Sequence, residues 1–157
     1  MKTEIETTAE IGKAVNIKRE KDGDTEVVVA HLKFDAALVP RETIDDLVGR
    51  PIGWAQHCLF DEFGAPIGHV DISLPRLSLI ATGKIRGIKS HEEITLRQAR
   101  LDDIVLKLTD NGALLSGSLA WKIAGDEASD LEPLLGRVCI LHVIAQDSGQ
   151  QDMLQAA

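Results

Sequence analysis

Hydrophobic and polar positions alternate along much of this chain with a period of two rather than 3.6. In Thr25–Ala37, the residues Val28, Ala30, Leu32 and Phe34 fall on one face of an extended chain. This alternation is typical of a β-strand with one buried face.

The turn residues predict two hairpins. Ile11–Arg19 is the expected partner of the strand at Thr25–Ala37, since Lys21–Asp24 carries a Gly-Asp turn between them. Ile104–Leu108 and Leu114–Ile123 are joined through an Asn-Gly pair, which favours a hairpin strongly.

A short helix is predicted after the first hairpin. Pro40 suits a helix start, Ile44 and Leu47 share one side, and Gly49 stands where a left-handed C-cap is expected. Beyond it we predict four further strands, at Ile52–Phe60, Pro66–Leu74, Leu77–Lys89 and Glu93–Leu101.

Residues 27–50 and 114–137 align without a gap at a separation of 87 residues. Five aligned pairs are identical: Leu32/Leu119, Ala37/Ala124, Leu47/Leu134, Gly49/Gly136 and Arg50/Arg137. Each segment follows a hairpin turn and precedes an apolar stretch, Pro51–Phe60 or Val138–Ala145. Duplication and convergence of two unrelated strand–helix units both explain this pattern.

The predicted fold is therefore mainly β (β-rich α+β), with antiparallel hairpins, two short helices and two similar β-β-α-β halves. We expect a flexible leader over 1–10, one domain over 11–146 that contains the repeat, and a flexible tail over 147–157. The expected core is Val28, Ala30, Leu32, Phe34, Ile44, Leu47, Leu115, Leu119, Trp121, Leu131, Leu134, Ile140 and Val143.

Composition and charge narrow the class of protein. Apolar residues make up 44% of the 157, as in ordinary globular chains, and 17 Lys and Arg against 25 Asp and Glu give a net charge of −8. This charge opposes simple electrostatic binding to nucleic acid or to an anionic membrane.

No apolar run approaches the ~20 residues that cross a bilayer, and two cysteines are too few for a disulfide framework. We expect a cytoplasmic protein without a membrane partner.

Motifs for catalysis or metal binding are weak in this sequence. Residues an odd number of positions apart in a strand point to opposite faces. His57 and Cys58 are therefore not expected to pair, and neither are Cys139 and His142. Both cysteines are expected to be core thiols. The five histidines do not cluster at metal-ligand spacing in the sequence. We predict no enzyme, no cofactor and no metal site.

One stretch of the chain is basic. Residues 76–107 carry seven basic and four acidic side chains, a charge of +3 in an otherwise acidic protein. Strand alternation brings part of these cations to one face, where they would contact nucleic acid or an acidic partner. The candidate contact residues are Lys84, Arg86, Lys89, Arg97 and Arg100. A solvated outer sheet face is the other interpretation.

The hairpin and strand EKDGDTEVVVAHLKFDAAL, Glu20–Leu38, resemble a loosely defined group of small phage and prophage proteins. The likeness continues in a late Gly-rich hairpin, a short helix and a final strand over Asp110–Ile144. The resemblance implies a phage-encoded accessory protein. It carries no catalytic or binding residue over to this chain.

Two hypotheses for function follow. The first is a non-catalytic phage accessory protein that binds another protein, viral or host, including a host-defence inhibitor. The alternative is a DNA-associated replication or recombination factor, clamp-like or single-strand-associated, that contacts DNA through the basic strands. A homo-oligomer is expected, because open β edges are often paired between copies. The host cell cytoplasm is the expected location if the chain is phage-encoded.

Overall fold

The computed structural model describes residues 1–68, 71–124 and 127–147 of the chain. The prediction of a mainly β fold is confirmed, since seven antiparallel strands form one sheet. The strands are β1 Lys2–Asp22, β2 Thr25–Pro40, β3 Asp71–Leu74, β4 Leu79–Gly87, β5 Glu93–Thr109, β6 Gly112–Lys122 and β7 Val138–Asp147. The helices are α1 Arg41–Val48, α2 Trp54–Cys58 and α3 Glu127–Leu131, the last followed by a 3₁₀ turn at Glu132–Leu134.

The sheet closes on itself. Its strand order is β3-β5-β4-β7-β1-β2-β6, and a further pairing of β5 with β6 joins the two sides. Six strands therefore form a ring, and β3 is added beside β4 along the long strand β5. Closure removes most free edges and leaves one enclosed interior for alternate side chains.

The interior is apolar and continuous. Of the expected core, eleven residues are buried: Ala30, Leu32, Phe34, Ile44, Leu47, Leu115, Leu119, Trp121, Leu131, Leu134 and Val143. Two expectations are wrong. Val28 is 39% exposed because β2 has its first β6 pair at the next residue, Val29. Ile140 lies on the outer face of β7, since its neighbours Cys139 and Leu141 point inward.

The expectation of a flexible leader over 1–10 is also wrong. Lys2–Glu10 pairs without interruption with Val138–Gln146 of β7. Small or apolar side chains at alternate positions, among them Ile5 and Ala9, are buried in the interior. The glutamates between them mask this alternation in the sequence. Of the predicted tail, Asp147 ends β7, and 148–157 lie outside the described residues.

The predicted strand at Ile52–Phe60 is in fact helical, since α2 occupies its centre. A buried carboxylate of α1 decides this local structure. Asp45, 1% exposed, accepts hydrogen bonds from the backbone N–H groups of Gly53 at 2.9 Å and Ala55 at 2.7 Å. These donors lie at the start of α2 and would otherwise lack partners within the helix.

The hairpins, the first helix and the last strand follow the predictions. The turns lie at 23–24 and 110–111, and Gly49 ends α1 with φ 78°. The predicted strands at Glu93–Leu101 and Ile104–Leu108 are one strand, β5, which continues through a bulge at Asp103 with φ 55°.

Candidate functional site

A groove runs along the outer face of β2 and β6, between β1 and β5. It has two adjoining parts of about 650 Å³ and 580 Å³. Both parts are lined by Gly12, Lys13, Lys33, Asp103 and Ser118. We call this surface the central groove, and its size lies in the range of ligand-binding clefts.

Irregular pairing in three adjacent strand pairs produces the groove. The register shifts between Ile11 and Val15 in β1, between Phe34 and Ala37 in β2, and after Asp102 in β5. Bulges bend strands and re-aim side chains, and they are frequent beside functional sites.

Two of these bulges hold non-glycine residues in a left-handed conformation. Ala36 and Asp103 both have φ 55°. An L-residue in this region costs on the order of 1 kcal/mol, which the surrounding strands must offset. Strained residues of this kind are frequent at binding and catalytic sites.

Backbone hydrogen bonds hold one wall of the groove in place. The Gly136 N–H donates to the Gly12 carbonyl at 3.0 Å, and the Ile11 N–H donates to the Arg137 carbonyl at 2.9 Å. The segment before β7 is thereby fixed against the bulge of β1, and Arg137 becomes part of the lining.

The groove is a mixed-charge surface. Lys13, Lys33 and Arg137 line its larger part together with the carboxylates Glu10, Asp35 and Asp103. None of these six forms an ion pair within residues 1–68, 71–124 and 127–147. Lys18 and Arg100 add cations to the other part, and the hydroxyl-bearing Ser116 and Ser118 lie between the charges.

The basic patch predicted from the sequence is divided by the fold. Lys84 and Arg86 do share the outer face of β4, on either side of the buried Ile85. Lys84 forms an ion pair with Glu93 at 3.2 Å. Glu93 is also the cross-strand partner of Arg86, so a carboxylate lies within this group of cations.

The remaining patch residues lie in three different surroundings. Arg97 is exposed on β5, beside the bulge between β4 and β5, and Lys89 lines a separate 300 Å³ pocket formed with Leu134 and Val138. Arg100 lines the central groove and forms an ion pair with Asp102 at 2.6 Å. The five cations therefore do not form one continuous surface.

A second group of polar side chains lies where β1 meets β7. His142 Nε2 is 2.9 Å from a Glu4 carboxylate oxygen and 3.9 Å from one of Glu6. The three residues share the outer face, and one donor atom from each lies within 4.8 Å of the other two. The sequence does not reveal this group, because its members are up to 138 residues apart.

The two cysteines differ in environment. Cys139 is buried as predicted, and desolvation raises the pKa of its thiol, although the positive charge of Arg137 partly opposes this effect. Cys58 is exposed, contrary to the prediction of a core thiol, because its segment is a surface helix rather than a strand.

The described helices are short. None in residues 1–68, 71–124 or 127–147 has the length and apolar character needed to cross a membrane.

Sequence reasoning missed the central groove because its charged residues come from distant strands. Lys13, Lys33 and Arg137 are adjacent only after the sheet has closed. The register shifts that form the groove depend on pairing between strands, so they cannot be predicted from a local sequence motif.

Comparison with known proteins adds no assignment: no protein-family model, curated protein or solved structure matches this chain.

Proposed function

We propose that this chain is a non-catalytic binding protein that holds an extended segment of a partner protein in the central groove. The observation that carries the proposal is a set of six charged side chains that form no ion pair in the described part of the chain, on a sheet surface interrupted by three register shifts. Charges held in place by strands can pair with a ligand without first breaking internal ion pairs.

The dimensions of the groove suit an extended peptide. Its lining follows β2 from His31 to Asp35. Successive residues of any extended chain rise by about 3.3 Å, so these five strand residues match the length of roughly five extended peptide residues. The hydroxyl groups of Ser116 and Ser118 supply donors and acceptors for a peptide backbone.

The charge pattern favours a peptide over a phosphate backbone. Glu10, Asp35 and Asp103 line the larger part of the groove beside its cations and would repel successive phosphates. Lys13 and Lys33 line both parts of the groove. The part that also holds Lys18 and Arg100 has fewer carboxylates that are not already in an ion pair. We therefore expect an acidic segment, with its carboxylates placed on these lysines.

Fluorescence anisotropy with labelled five-residue peptides tests this proposal. The probes are alternating Glu-Thr, Lys-Thr and all-Thr peptides. We expect the Glu-Thr peptide to bind best, and the double variant Lys13→Glu/Lys33→Glu to weaken its binding at least tenfold.

The matched control is Lys84→Glu/Lys89→Glu, which makes the same charge change on exposed residues outside the groove. We expect it to change the affinity less than threefold. Equal losses in the two double variants, or no binding of any peptide, would contradict the groove proposal.

A DNA-associated function is the second candidate, and one observation favours it. Arg86, Lys89 and Arg97 are exposed and form no ion pair with any residue of the described part of the chain. A salt series with short single- and double-stranded DNA tests this candidate, because phosphate contacts make binding salt-dependent. Salt-sensitive binding that is lost on changing Lys84, Arg86 and Arg97 to Glu would support it.

We further infer that the chain contains two repeats of one β-β-α unit, which a strand follows in the second copy (β7) and the helix α2 follows in the first. The turn pair Asp22–Thr25 recurs 87 residues later as Thr109–Gly112. The repeat-related residues Leu32 and Leu119 are also direct partners between β2 and β6. The central groove therefore lies where the two units meet. Phage origin and homo-oligomer formation stay predictions.

A further inference from the structure

Glu4, Glu6 and His142 bring three potential metal-ligand atoms together on the outer face of β1 and β7. Glu4 and Glu6 are alternate residues of β1, so both side chains leave the same face of the sheet. His142 is the direct cross-strand partner of Glu6 on β7. Imidazole nitrogen and carboxylate oxygen are both common zinc ligands.

The strands hold these positions before any ion arrives. Nine consecutive residue pairs, from Lys2–Gln146 to Glu10–Val138, join β1 to β7 without a register shift. Only side-chain rotamers need adjust to bring three donor atoms onto one ion, because the donor atoms already lie within 4.8 Å of one another. Preorganisation of this kind reduces the entropy lost on binding.

The surrounding charges favour a cation. The group has two carboxylates, and the chain carries a net charge of −8. Lys84 is the cross-strand partner of His142 on β4, which would oppose a metal ion. Its ammonium group, however, is directed to the other side, where it pairs with Glu93 at 3.2 Å.

We propose that Glu4, Glu6 and His142 bind one zinc ion, with solvent completing the coordination. The ion would join the N-terminal strand to the last strand. Ligand side chains between 46% and 59% exposed imply an accessible, exchangeable site rather than a buried structural one.

Isothermal titration of tag-free protein with zinc chloride tests the proposal. We expect one zinc ion per chain and a rise in melting temperature on zinc addition, since a ligand that binds the folded state stabilises it. Glu6→Gln should lower the zinc affinity at least tenfold, although it leaves the His142–Glu4 pair intact. His142→Ala should lower it at least as much and abolish the zinc-dependent rise in melting temperature.

His31→Ala is the matched control, because His31 pairs with the single carboxylate of Glu20, also at 2.9 Å. We expect its zinc affinity to stay within threefold of the unmodified protein. Cys58→Ser is a second control, since an exposed thiolate also binds zinc. Absence of zinc binding, unchanged affinity in Glu6→Gln and His142→Ala, or loss of binding in either control would overturn the proposal.

Discussion

The β1–β2 and β5–β6 hairpins have the same register at their turns, but the halves next to the turns differ in burial. In β5–β6, Ile104 and Leu115 are fully buried. The aligned residues of β1–β2, 87 positions earlier, are Ile17 and Val28, which are 47% and 39% exposed. Similar local patterns therefore lead to different burial.

The segment between α1 and β4 accounts for much of this difference. Its strand β3 pairs with residues 104–107 of β5, of which Ile104, Val105 and Leu106 are apolar. The Gly64 carbonyl accepts a hydrogen bond of 2.8 Å from the Asn111 N–H at the second turn. Residues 17–27 of the first hairpin have no strand partner outside the hairpin in the described part of the chain. A local pattern thus defines a hairpin, and a distant segment decides whether its side chains form core.

The largest expected difference between the hairpins is at the aligned pair Leu115 and Val28. Leu115→Ala removes a fully buried side chain and should lower the free energy of unfolding by about 2–5 kcal/mol. Val28→Ala should cost less than about 1 kcal/mol, because that side chain already contacts solvent. Urea denaturation measures both values, and equal losses would show that the two hairpins are buried alike.

The next largest effect is expected at the carboxylate that holds the start of α2. Asp45→Ala leaves the N–H groups of Gly53 and Ala55 without this acceptor, and it should cost about 2 kcal/mol. The control is Glu132→Ala, at the aligned but exposed position, which should change stability by less than about 0.5 kcal/mol. Thermal and urea denaturation report the difference. A cost at Glu132 that matched the cost at Asp45 would be evidence against the capping role.

A smaller effect is expected at the turns. A Cβ added at Gly112 would clash with the backbone carbonyl of Val39, so Gly112→Ala should destabilise the protein by about 1–2 kcal/mol. The aligned residue in the first hairpin, Thr25, is exposed, and Thr25→Ala should be nearly neutral. Equilibrium unfolding of both variants checks the contrast, which fails if Gly112→Ala is as stable as the unmodified chain.

The smallest effect is expected at the ion pair between Asp22, near the first turn, and Lys122 of β6. Both side chains are more than half exposed, so Asp22→Asn should cost at most about 1 kcal/mol. The cost should decrease in 1 M salt, which screens exposed charges. A loss above about 2 kcal/mol that salt does not change would show that the pair helps to hold the first hairpin on the sheet.

Residue alternation and turn chemistry predict much of this fold. The strands β2, β4, β6 and β7, both hairpin turns and the Gly49 cap follow from local patterns. The predictions are wrong for two regions, and each error has an identifiable physical reason. Polar glutamates hide the alternation of the first ten residues, and the helical state of α2 depends on the buried carboxylate of Asp45.

The candidate sites were less accessible to prediction. Arg100 is the one residue of the predicted basic patch that lines the central groove, and the others lie elsewhere on the surface. Lys13, Lys33 and Arg137, like Glu4 and His142, become neighbours through strand pairing over long separations.

Local alternation, turn residues and a glycine cap were enough to specify a mainly antiparallel β chain with short helices, because these signals act between residues close in sequence. Closure of the sheet, coverage of one hairpin and assembly of the groove depended on contacts between distant segments. Their free energy comes from burying side chains that meet only in the folded protein, so no local segment of the sequence displays them.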